Sequence, residues 1–147
     1  MRAGGAGARA PWHLWAAGIV AILWNAGGCL DYVMTQVQGD AWLANMEPTQ
    51  TLLDWFHGLP AWYDAAWAIA VWGGLLGGVL LLARRRWATP VFVLSLLGWT
   101  ATAVYALALS NGMEVMGAYW PIQIVHLVIG ALFVWYAMAM SQRGVLR

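Results

Sequence analysis

The chain has 147 residues, of which 63% are hydrophobic and 9% charged, with a formal net charge of +1. Soluble domains carry about 25% charged residues, so this composition excludes an ordinary soluble protein, and no nucleic-acid partner is expected. Hydrocarbon about 30 Å thick needs about 20 apolar residues per helix, so four crossings fill nearly the whole chain and leave no separate soluble domain.

Residues 1–10, "MRAGGAGARA", are small and basic and have nothing with which to build a core, so a disordered tail is expected. The first span is expected over about 12–36, opening at Pro11 and Trp12 and staying almost uncharged to Asp31. Within it, "AGGC" after two arginines is similar to a lipoprotein signal cleaved before Cys29. Ala26 stands where such signals favour leucine and Asn25 interrupts the apolar run, so the span is read as retained. A lone cysteine also excludes an intramolecular disulfide or a CxxC site.

The connection that follows, about two dozen residues from Val37 to Pro60, holds "MEPTQTLLDWFHGLPAW". Pro48 at a helix start, Thr49 or Thr51 as cap and Gly58 as stop predict a short amphipathic helix on the outer membrane surface, a lid over the bundle. The second span, 61–82, carries "GGLLGG", in which Gly73 and Gly77, and Gly74 and Gly78, are four apart. That spacing allows close helix packing, either within the chain or as the seam of a homodimer. The third and fourth spans are expected over about 89–110 and 120–140, with 142–147 as a second tail. No internal repeat supports an inverted-repeat transporter.

All seven basic residues are arginines at the amino terminus, the second connection and the carboxyl terminus; all six acids lie at or near the first and third connections. Both termini are therefore expected in the cytoplasm. The fold expected is an all-α membrane protein, a four-helix transmembrane bundle.

Asn25, Gly28, Asp31, Tyr32 and Thr35 fall within about a third of the first helix's circumference. Asp64, Tyr105 and Ser110, Gln123 and His126, and Glu114 in the last turn are expected at the same depth. Intramembrane ionisable groups are costly and point to a functional site. The candidate ligand-binding or proton-linked residues are thus Asn25, Asp31, Tyr32, Asp64, Tyr105, Glu114, Gln123 and His126, with His126 expected to pair with Asp31 or Asp64. Each could equally be a hydrated interfacial acid or a satisfied core histidine. Trp12, Trp15, Trp62, Trp87 and Trp120 suit an interfacial belt; Trp24, Trp67, Trp72 and Trp99 are deeper and are expected to pack. Bis-histidine haem has only His13, His57 and His126 to draw on, and zinc only His57, His126, Asp64 and Glu114. No cofactor is expected, and without an HExxH, GxSxG or Walker signature neither is catalysis.

The pieces "PWHLW", "LWNAGGCLDYVMTQ", "GLPAWYDAAWAIAVWGGLLG" and "LSNGMEVMG" together resemble a family of small four-span bacterial inner-membrane proteins commonly labelled sugar transporters. The resemblance runs over most of the chain and implies a substrate class without assigning binding residues. The expected function is transport or binding of a small polar solute through an outward-facing pocket. The alternative is a non-catalytic accessory subunit of a larger membrane complex.

Overall fold

The computed structural model describes residues 9–147. Among these, seven α-helices and no strand form: α1 Trp12–Gln38, α2 Asp40–Leu43, α3 Gln50–His57, α4 Ala61–Leu82, α5 Ala88–Val104, α6 Gly112–Met116 and α7 Pro121–Gln142. A π-helical segment, Tyr105–Leu109, prolongs α5. With that extension, α1, α4, α5 and α7 are each long and apolar enough to cross a membrane. The chain is an all-α four-span bundle, and the short amphipathic helix between the first two spans is α3. The disordered tail expected at residues 1–10 lies, apart from Arg9 and Ala10, outside the described residues.

Prolines open three of the spans. Pro11 and Pro60 precede α1 and α4, and Pro121 is the first residue of α7, where a missing N–H costs nothing because the first turn has no acceptor for it. α1 ends at Gly39, whose φ of 54° and ψ of −126° suit only glycine. α3 is capped by Thr49, whose Oγ1 accepts from the Leu52 N–H at 3.2 Å, and it stops at Gly58.

α4 is the central helix, packed along α1 on one side and α5 on the other, while α7 packs along α5. The glycines explain this arrangement. A Cβ at Gly74 would overlap the Asn25 side chain and one at Gly78 would lie 2.9 Å from Ile22, both on α1. On the other face a Cβ at Gly77 would lie 2.6 Å from Phe92 and one at Gly73 3.2 Å from Ser95, both on α5. The four glycines therefore serve two contacts within one chain, which is the first of the two readings of their spacing. Close approach also lets the Ser95 hydroxyl donate across to the Ala70 carbonyl at 2.5 Å.

Two cores hold the bundle ends. Near the termini, Leu14, Leu81, Phe92 and Met140 cluster with Val145 and Leu146. At the opposite, distal end, Leu52 of α3 packs on Ala106 and Met116. Of the six residues expected as a carboxyl tail, Gln142 ends α7 and the last three, Val145 to Arg147, are docked on the bundle. After α7, Gly144 takes a φ of 66° and the Val145 N–H returns to the Met140 carbonyl, a Schellman turn. Arg147 then exchanges backbone hydrogen bonds with the α4–α5 turn, donating to Arg84 at 2.7 Å and accepting from Arg86 at 2.9 Å. Burial of Val145 and Leu146 supplies the reason: apolar side chains at the bundle end gain more by packing than by extending into water.

Candidate functional site

The helices diverge at the distal end. α1 and α7 share no extended packing there, and a cavity of about 530 Å³ opens between the spans beneath α2 and α3. Each span contributes a polar side chain to its lining: Asp31 and Thr35 from α1, Tyr63 from α4, Thr102 from α5, and Gln123 and His126 from α7. The rest of the lining is apolar or aromatic, including Trp55, Phe56, Trp67 and Trp99.

The depth of this layer follows from the length of α1. From Pro11 to Asp31 a helix rises about 30 Å, the thickness of the hydrocarbon. Asp31 thus sits where the apolar medium ends, and it is exposed. Its Oδ1 accepts from Trp42 Nε1 at 2.8 Å, which ties α2 down on α1. The lid is further held by Trp55 Nε1 donating to Ser110 Oγ at 3.3 Å and by an exposed His57–Asp40 pair at 2.7 Å. An exposed pair of this kind adds little stability, so the buried Leu52 is the lid's main anchor.

His126 forms the cavity floor. Its ring stacks on Trp99 with centroids 4.0 Å apart and leans against Trp24 at 5.4 Å. Nδ1 is 2.7 Å from the Ile122 carbonyl oxygen; a carbonyl can only accept, so Nδ1 carries a proton and donates it there. Below the ring lies a void of about 10 Å³ between Asn25, Ser95 and Phe133, room for about one water. Gln123 Nε2 donates to the Met116 sulfur at 3.9 Å, and its Oε1 is buried without a partner.

Among the eight residues expected at a site, Asp31, Gln123 and His126 line the cavity and Asn25 lines the small void beneath it. Tyr32 instead turns its ring edge to Trp67, and Tyr105 packs on Trp62 and Tyr63. Tyr32, Asp64, Tyr105 and Glu114 are not in the lining. The expected pairing of His126 with an acid is corrected: Asp31 is held by Trp42, and His126 bonds to its own helix. Helical rotation is the reason, since one residue turns a side chain by about 100°. Tyr63 takes the place expected for Asp64, and Thr102 that expected for Tyr105.

Tyr63, Trp67 and Thr102 were missed as site residues although a signal exists. Tyr63, Trp67 and Gly74 follow one another at helical spacing, and Gly74 meets α1, so that face of α4 turns inward. The deep tryptophans divide: Trp67 and Trp99 line the cavity, while Trp72 is exposed on the bundle surface.

The metal and haem groupings do not assemble among the described residues. His57 pairs with Asp40 on the surface, His126 lies between indoles, and His13 bonds to Tyr136 at the terminal end. No three of His, Cys, Asp and Glu come together among the described residues. Cys29 is buried in α1. Comparison with protein-family models, curated proteins and solved structures finds no match to this chain.

Proposed function

We propose that this chain is a bacterial inner-membrane protein that binds, and with a further conformational step transports, a small solute bearing polar groups. The cavity of about 530 Å³, to which all four spans contribute polar side chains, is the observation that carries this reading. Its volume suits a drug-sized ligand, and a mostly apolar lining with a few polar groups is the usual character of such sites. Sugars are the class implied by the resemblance, and the indoles of Trp67 and Trp99 give faces on which one would stack. Arginines at one end and acids at the other support cytoplasmic termini and a cavity on the outer side. Transport then requires the Trp24–His126–Trp99 contacts, which floor the cavity and join α1, α7 and α5, to open.

Uptake and binding of sugars and other small polar solutes by the protein in reconstituted vesicles test this. Asp31→Asn and His126→Ala are expected to lower binding at least about tenfold, the scale of one lost charge-assisted hydrogen bond. If both variants bind and transport as wild type does, the assignment is wrong.

A second reading, a non-catalytic accessory subunit, is favoured by α7. Only 11% of its apolar window is buried, against 28–39% in the other spans, which leaves a helix face for a partner's span. Copurification with a partner in mild detergent, weakened by Leu132→Trp on that face, is the result it requires.

A further inference from the structure

Three observations bear on what the cavity admits. Its roof is covered in part by the lid, held through Leu52, Trp42 and Trp55, while Met46, Ala118 and Tyr119 of the lining stay exposed at that end. Its flank between α1 and α7, which share no extended packing, is also open: Ile122 and Val125 line the cavity and are exposed. Both lie in a span, so the opening faces lipid rather than water.

The lining has a definite electrostatic character. Asp31 supplies a carboxylate, and no arginine lines the cavity. Trp42 engages Oδ1 of Asp31, and Oδ2 remains for a ligand. Nδ1 of His126 is taken up by the Ile122 carbonyl, and the Thr102 hydroxyl is already donated to the Trp99 carbonyl. The one formal charge of the lining is thus the Asp31 carboxylate, in a cavity that also carries the aromatic side chains Trp55, Tyr63, Trp67 and Trp99. A carboxylate beside aromatic rings attracts an alkylammonium ion and repels an anion.

Building on the cavity reading above, we infer that the ligand is an amphiphilic amine. Its ammonium head lies under the lid between Asp31 and the aromatic side chains, and its apolar chain leaves between α1 and α7 into the bilayer. The lipid-facing opening serves as the entry path for the chain and its head.

Native mass spectrometry of the full chain in a neutral detergent tests this with four probes at equal concentration: dodecyltrimethylammonium, dodecyl glucoside, dodecanoate and choline. The expected result is one dodecyltrimethylammonium retained per chain, with each other probe about tenfold weaker or more. Asp31→Asn is expected to weaken the ammonium probe about tenfold and leave the melting temperature unchanged, because the asparagine Oδ1 still accepts from Trp42. Val125→Trp, which narrows the opening without touching Asp31, is expected to slow loading of the long-chain probe; this variant carries the test if Asp31→Asn does not fold. Preferential retention of the glucoside, indifferent to Asp31→Asn, overturns the amine and leaves the cavity reading standing. Choline held as tightly as the dodecyl compound overturns entry from the bilayer. Failure of all four probes, together with failure of free sugars, overturns both readings.

Discussion

Asn25 shows how a polar side chain in a span can be structural. Its amide nitrogen donates to the Ala21 carbonyl at 2.8 Å, and its oxygen side rests on Gly74, where any Cβ would overlap it. Overpacking of this kind costs about 1–3 kcal/mol. Gly74→Ala is therefore expected to lower the thermal midpoint of the purified protein, and adding Asn25→Ala to recover most of the loss; purely additive losses would show that the two positions do not share a contact. Ser95 makes the useful contrast. Its hydroxyl bond to Ala70 spans two helices, yet hydrogen bonds between spans average about 0.6 kcal/mol. Ser95→Ala is accordingly expected to shift the midpoint less than Gly74→Ala, with packing outweighing hydrogen bonding at the α1–α4–α5 seams.

The lid and the carboxyl segment are the two elements whose behaviour can be separated from the spans. Thr49 caps α3, and replacing such a cap by alanine costs about 1 kcal/mol. Gly39 holds the α1–α2 corner at a φ of 54° and ψ of −126°, a region that costs other residues about 1–3 kcal/mol. The double variant Gly39→Ala, Thr49→Ala is expected to speed hydrogen exchange across residues 40–57 and leave α4 and α5 protected; equal loosening of all four spans would mean that the lid is part of the bundle's folding unit. At the other end, deletion of Val145–Arg147 removes two buried side chains and both backbone bonds to the α4–α5 turn. Burying an aliphatic side chain is worth about 1.5–3 kcal/mol, so the truncated chain is expected to melt several degrees lower, and an unchanged midpoint would show that the segment is not docked. Arg84 also takes part there. It holds a φ of 56° at the end of α4, and its Nε donates to the Val145 carbonyl at 3.1 Å.

At the scale of the whole molecule, the up-and-down course places the α4–α5 turn with the described termini and the lid with the α6 turn. In a Cys29→Ala background, Asn111→Cys is expected to react with a membrane-impermeant maleimide added outside intact cells, and Arg85→Cys only after permeabilisation. The reverse pattern would invert the orientation inferred from the arginines and put the cavity on the cytoplasmic side.

The number of spans, their limits to within two residues, a threonine cap at Thr49 or Thr51, the Gly58 stop and the segregation of charge were all legible in the sequence. Length, hydropathy and capping are properties of a segment by itself, and charge is read directly from residue positions. Rotation was not legible. α4 and α5 are apolar around most of their circumference, and lipid accepts an apolar face as readily as a neighbouring helix does, so local pattern did not say that Tyr63 rather than Asp64, or Thr102 rather than Tyr105, turns inward. Likewise the glycine spacing announced close contacts without naming the partner; only the packed chain assigns Gly74 and Gly78 to α1 and Gly73 and Gly77 to α5. The cavity exists because α1 and α7 are held apart by their separate contacts with α4 and α5. That separation depends on three helix interfaces at once, and for this reason it was decided by tertiary structure alone.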